Sequence, residues 1–255
     1  MKRIFSLGLL SAGVLATSLT FAGSTFTKAQ VAQIQKITHD YLVQNPQVLM
    51  EVSQALQMQQ MKTTQEAGVK EAQQNTEELF RNKNDIVTGN NNGTVTLVEF
   101  FDYLCPLCRD MAKPVENLVK ANPNLRVVYK DLIVHGQPAL LAAEAAYAAS
   151  QQGKYIEFHN AILESSDQTF DETLMKKYAM QVGLNLTKFQ ADIKTYRSTV
   201  DRMAEANGQL AQKLQLLGTP TFFIAKTDAN SSSLIEMAPG KTTQADLQQM
   251  IDKVK

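Results

Sequence analysis

The sequence predicts an α/β domain with a helical insertion, preceded by a helical extension and a leader. Three observations carry this. A buried strand, "TVTLVEFF" (94–101), runs straight into a helix, and a second strand and a late pair of strands complete a sheet. The stretches before 81 and between about 138 and 217 show helical periodicity and no strand pattern.

The leader comes first. Lys2 and Arg3 precede an apolar run from Ile4 to Phe21 and the small-x-small site Thr20-Phe21-Ala22. That order predicts a secretory signal peptide over 1–22, cleaved after Ala22. The run approaches the length of a membrane span, but its serines, threonines and glycines weaken that reading, and no basic stop-transfer segment follows. No cysteine near the site offers a lipid anchor. Without the leader, 23 basic residues face 25 acidic ones, so there is no footprint for nucleic acid or anionic membrane. The remaining chain, about 230 residues, can bury a core without disulfide staples.

Residues 23–81 read as a helical oligomerisation and linker segment. Val31, Ile34, Ile37, Tyr41 and Leu42 fall at helical spacing, and Asn45-Pro46 reads as an N-cap followed by proline at the first helical position. Val48, Leu49, Val52, Leu56, Met58 and Met61 continue the stripe. The pattern predicts one helix from Pro46 to about Phe80, with Gly68 as a weak point. Such a helix is too long to cover one small domain, so residues 27–61 are expected to meet a second copy of the chain. Met58 and Met61 read as interface filler rather than copper ligands.

The Asn/Gly-rich stretch Asn82–Thr94 reads as a turn region and domain boundary, opening a domain over 85–255. After "TVTLVEFF" comes the helix "CPLCRDMAKPVENLVKANP", kinked at Pro114, and then the strand "LRVVYKDLIV". Alanine-rich and amphipathic helices follow over about 138–217. Tyr155 and Phe158 are expected to pack this block, with His159 lining the packing. "GTPTFFIAK" and "SSSLIEMAPG" supply two adjacent strands, and a helix from about Thr243 to Val254 closes the domain. The Asn-x-Ser/Thr triplets at Asn92, Asn185 and Asn230 carry no assigned role.

Cys105 and Cys108 are the only cysteines. Residues three apart on a helix have Cβ atoms about 5–6 Å apart, whereas a disulfide needs them nearer 4 Å. The bond can form with small adjustment and open again, and so short a loop staples little. At a helix N-terminus the backbone N–H groups and the dipole favour a Cys105 thiolate, and Pro106 suits the first turn. Cys108, one turn further in, is the more sheltered. Cys105 is therefore the attacking sulfur and Cys108 the resolving one. A metal site is the competing reading: two thiolates are short of zinc's usual four ligands, and His39, His135 and His159 lack ligand spacing. Copper(I) held by the two thiolates stays open.

"VEFFDYLCPLC", "GTPTFFI" before a final hairpin, and a helical block between them resemble the DsbA-like thioredoxin family of bacterial exported thiol–disulfide oxidoreductases. The resemblance covers about 95–255 and implies a thioredoxin fold with an inserted helical domain, a periplasmic location, exported client proteins, and no cofactor beyond a Cys105–Cys108 disulfide. It implies that Thr219-Pro220 is the cis-proline loop beside the cysteines, pairing with an extended client segment. It also implies that Glu99, an acid in an apolar strand, sits beneath the cysteines and moves protons. Lys130 on the next strand is the expected partner of Glu99. Two departures matter. The most oxidising members carry histidine where Leu107 stands, so a milder oxidant is expected here. Thr219 resembles the isomerase-type members rather than DsbA. The N-terminal helices resemble those of ScsC-like exported proteins and favour isomerase or mixed activity, with a membrane redox partner of DsbB or DsbD type. The alternatives are a periplasmic reductase or copper-stress repair protein, a copper(I)-binding chaperone, and a holdase.

Overall fold

The computed structural model describes residues 26–255; the leader expected over 1–22 lies outside the described residues. The chain divides into two units, Met1–Leu56 and Gln57–Lys255.

In the first unit, α1 (Lys28–Gln44) begins at a capping box. Thr27 accepts from the Gln30 backbone N–H, and the Gln30 side chain accepts from the Thr27 N–H. Asn45 ends it, and α2 (Gln47–Gln74) starts immediately after. Val31, Ile34, Ile37, Tyr41, Leu49, Val52 and Leu56 are all exposed, and α1 buries no residue. An apolar stripe gains stability only when it is covered.

The second unit begins within α2. The single helix expected to reach Phe80 stops at Gln74, and a separate short helix, α3, covers Thr76–Phe80. The break lies at Asn75, whose side chain donates to the Glu71 carbonyl (2.8 Å) and competes with the helical ladder. Gly68 is no weak point. A Cβ there would lie 2.7 Å from the Met237 sulfur, so glycine is what lets α2 approach the sheet.

The five-stranded sheet has the order β1-β3-β2-β4-β5, with β1 Ile86–Gly89, β2 Val95–Phe101, β3 Leu125–Asp131, β4 Thr221–Lys226 and β5 Ile235–Pro239. β2 and β3 run parallel, joined through α4 (Pro106–Ala121); the other pairings are antiparallel. β1 corrects the expectation of a plain turn region over 82–94. Its β-branched run Ile86-Val87-Thr88 is only three residues long, and it is held as a strand by pairing with β3.

Side chains alternate between the two faces of the sheet. One face, with Leu97, Phe101, Val127, Tyr129, Phe222 and Ile224, packs on α4, on the insertion and on the last helix, α9 (Gln244–Val254). The other, with Val98, Phe100, Val128, Phe223 and Met237, is covered by Ala72 of α2, Leu79 and Phe80 of α3, and the end of α8. The insertion comprises α5 (Gln137–Ser150), α6 (Tyr155–Leu163), α7 (Glu172–Gln181) and α8 (Leu186–Lys213). Seven alanines of α5 are buried, and such small side chains allow close helix packing. No helix among the described residues is long and apolar enough to cross a membrane.

Candidate active site

β2 is buried along its whole length and delivers the chain into a short turn, Asp102–Leu104, before α4. Cys105 is the N-cap residue, with extended backbone (φ −72°, ψ 118°), and Pro106 opens the helix. Cys108, Met111, Ala112, Val115 and Leu118 form the buried face, and the helix continues through Pro114 to Ala121. That face holds Cys108 fully buried against the core. Cys105 lies at its edge, and Leu107 between them is 42% exposed. No disulfide joins the two cysteines here.

The two sulfurs have opposite environments. The Cys105 thiol is lowered to about 5. The Cys108 thiol, donating a hydrogen bond to the Cys105 sulfur, is the largest cause; Thr219 and the backbone N–H groups of Cys108 and Leu107 add to it against the cost of burial. The Cys108 thiol is pushed far above the usual range, by burial first, then by its bond to Cys105 and the nearby charge of Glu99. One sulfur is a thiolate at neutral pH while the other keeps its proton.

Thr219-Pro220 is a cis peptide bond at the entrance to β4. It sets the Thr219 carbonyl 3.3 Å from the Cys105 sulfur, where it accepts from the S–H when Cys105 is protonated. Thr221 ties the loop down by donating to the Gly218 carbonyl (2.8 Å).

Glu99 is buried on the α4-facing side of the sheet, and its Oε1 has no hydrogen-bond partner among the described residues. Burial raises its carboxyl to about 8, and the Cys105 charge adds to the rise. Lys130 is not its partner. In the parallel register Glu99 pairs with Tyr129 and Phe100 with Lys130, so Lys130 points to the opposite face. There it forms a buried ion pair with Asp85 at 2.7 Å. The structure thus separates Lys130 from the cysteines and places Tyr129 beside Glu99.

His159 lies in the aromatic packing. Its Nδ1 meets the Tyr103 hydroxyl at 3.0 Å and the Tyr155 hydroxyl at 3.3 Å, and the rings of Phe101 and Tyr129 flank it. Burial lowers it to about 3, so it stays neutral. Two carboxylates not singled out from the sequence also belong here. Asp131, with Oδ1 unpaired, is raised to about 7, mainly by burial and then by Asp102. Asp102 is buried in the turn before Cys105. Among the described residues, no group of three or more His, Cys, Asp or Glu is placed to hold a metal ion.

A Cys-x-x-Cys pair at the head of a helix, fed by a central parallel strand and faced by a cis-proline loop, defines a thioredoxin-fold dithiol protein. Residues 81–253 match the thioredoxin family model, and the chain belongs to that family. Residues 30–62 match the N-terminal domain of the copper resistance protein ScsC. A thioredoxin-like oxidoreductase from Silicibacter pomeroyi is 40% identical, with 69% of this chain and 95% of that one covered and a TM-score of 0.61. BcfH of Salmonella enterica Typhimurium is 29% identical over 89% of this chain and 96% of its own, with a TM-score of 0.68. Among curated proteins, the Na(+)/H(+) antiporter NhaA 1 of Salinispora arenicola is 32% identical over 163 residues, 63% of this chain. The chain spans about a quarter of the length of that relative.

Proposed function

We propose that the protein is a periplasmic thiol–disulfide oxidoreductase that forms and reshuffles disulfides in exported client proteins. The observation that carries this is the contrast between a Cys105 thiol lowered to about 5 and a buried, protonated Cys108, with the Thr219 carbonyl 3.3 Å from the Cys105 sulfur.

The chemistry follows from that contrast. Cys105 thiolate attacks a client disulfide; one client sulfur leaves and takes a proton, and a Cys105–client disulfide remains. Cys108 then gives up its proton and attacks the Cys105 sulfur. The second client sulfur leaves, also taking a proton, and the pair becomes a disulfide. The client has gained two electrons and two protons; the reverse sequence oxidises a client dithiol. If the freed client thiolate attacks another client sulfur first, Cys105 is expelled and the client is isomerised. Glu99, raised to about 8, takes and returns the Cys108 proton near neutral pH. The Thr219 backbone lies where an extended client strand can pair beside the sulfur, and exposed Leu107 and Leu217 offer it apolar contact. The couple needs no dissociable cofactor and no metal.

The bare stripe of residues 27–61 is read as the contact with a second copy, giving a homo-oligomer. A membrane partner of DsbB or DsbD type resets the cysteines. The match of residues 30–62 to the ScsC N-terminal domain favours a second reading, a copper-stress repair reductase kept in the dithiol state. Two experiments test these. Scrambled ribonuclease regains activity with the wild-type protein and not with Cys105→Ser if the first reading holds; equal results from both proteins would overturn it. Alkylation trapping in cells then reports the resting state, with oxidised cysteines marking an oxidase and reduced ones an isomerase or reductase.

A further inference from the structure

Asp102 is a buried carboxylate that neither cysteine touches with its side chain, and it is saturated with bonds to backbone. Its Oδ1 accepts from the Leu104 N–H (2.7 Å), inside the turn that leads to Cys105. Its Oδ2 accepts from the N–H groups of Val134 (2.8 Å) and His135 (3.0 Å), in the loop that follows β3. The His135 ring adds Nδ1 at 3.2 Å from Oδ1. One side chain therefore clamps two segments about thirty positions apart in sequence. The backbone of the same residue reaches the reacting pair: the Asp102 carbonyl accepts from the Cys105 N–H (3.0 Å), and the Asp102 backbone is among the groups that favour a Cys108 thiolate.

We propose that Asp102 is a positioning residue for the resolving step: its clamped carboxylate holds its own backbone N–H against the Cys108 sulfur. The proposal rests on the assignment of Cys105 as the attacking sulfur and Cys108 as the resolving one. In that step Cys108 passes its proton to Glu99 in its ionised form, the minority form below about pH 8, and, as a thiolate, attacks the Cys105 sulfur. The Cys105–Cys108 bond forms, the Cys105–client bond breaks, and the client sulfur leaves with the electron pair. Negative charge on Cys108 exists only in this step, and burial leaves it few donors. An N–H held in place beforehand stabilises that charge without reorganisation. Cys105 draws on other donors, the Cys108 thiol first and then Thr219 and the first turn of α4, and the Asp102 N–H is not among them, so the first attack does not depend on the clamp.

The test uses 5,5′-dithiobis(2-nitrobenzoate) as the disulfide, with reduced full-length protein in excess. Attack by Cys105 releases the first equivalent of coloured thiolate, and resolution by Cys108 releases the second. With Asp102→Asn, which offers an amide N–H₂ to loop donors that need an acceptor, the second phase slows about tenfold, equal to about 1.4 kcal/mol. The first phase stays within about twofold. Val134→Pro removes one clamping N–H while keeping Asp102, and slows only the second phase, by less. A purely structural role lowers thermal stability without changing the ratio of the two rates. Equal slowing of both phases, or no slowing of the second in either variant, overturns the proposal. A wild-type protein that never releases the second equivalent overturns the Cys108 assignment instead, so the two failures are distinguishable.

Discussion

The Thr219 carbonyl oxygen lies 3.3 Å from the Cys105 sulfur, although the two residues are 114 positions apart. The Thr219 side chain also favours the thiolate. A loop from the far end of the domain thus meets the Cys105 sulfur twice, once with backbone and once with a side chain.

Removing the side-chain part is the first prediction. Thr219→Val deletes a hydroxyl that stabilises the thiolate, and hydrogen bonds to charged groups contribute about 1.5–3 kcal/mol. The Cys105 pKa rises by about 1–2 units. The rate of iodoacetamide alkylation against pH reads this directly: half-maximal near pH 5 for wild type and near 6–7 for the variant. Coincident profiles would leave Thr219 without a role in setting the thiolate.

Glu99 makes stability depend on pH in a defined direction. Its folded-state value, about 8, lies above the ordinary 4.5, so the folded protein retains a proton that the unfolded chain has lost between those limits. The protein is most stable with respect to this group below about pH 4.5 and loses that stability as pH rises to about 8. Glu99→Gln carries no charge and escapes the loss. Its advantage over wild type grows from near zero at pH 4.5 to about 5 kcal/mol above pH 8, measured by thermal unfolding of the reduced protein. The same variant slows thiol exchange at pH 7. A stability difference that is constant with pH would contradict the buried-acid assignment.

Lys130 separates structure from chemistry. It is paired with Asp85 on the face of the sheet away from the cysteines. Lys130→Ala leaves a buried, unpaired Asp85 and costs about 3–5 kcal/mol of stability. The alkylation profile of Cys105 stays as in wild type. A displaced profile would mean that Lys130 reaches the site after all.

The error over Lys130 shows what a sequence hides. The cysteine pair, the Thr-Pro loop and the acid at 99 are local words, readable because each is a short run of residues, although what tunes them comes from far along the chain. Which residue of β3 stands beside Glu99 depends on register, and a shift of one position exchanges Tyr129 for Lys130 and one face for the other. β1 was hidden for a related reason: Ile86–Gly89 is a strand because β3 lies beside it, not because of its own pattern. Asp102 stands three residues before Cys105, yet its clamp appears only when the 133–136 loop folds over it. Gly68 looks like a helix breaker until Met237 is seen pressed against it.

The helices of the first unit carry a prediction about assembly. Ile37 is exposed in the middle of the apolar stripe of α1. If a second copy covers that stripe, Ile37→Asp reduces the solution mass to that of a single chain, measured by light scattering, and leaves Cys105 alkylation unchanged. Deletion of 27–61 has the same effect on mass. A wild-type protein that is already monomeric at micromolar concentration contradicts the assignment.

The central claim is that Cys105 and Cys108 form a two-electron redox couple, tempered by Leu107 where a histidine would further stabilise the thiolate. Equilibration with glutathione buffers, read by mass after alkylation, tests it most directly. The account predicts one two-electron transition at a potential between about −270 mV, that of thioredoxin, and about −120 mV, that of DsbA. A pair that stays in the dithiol form across the whole range, or a potential at or above that of DsbA, contradicts it.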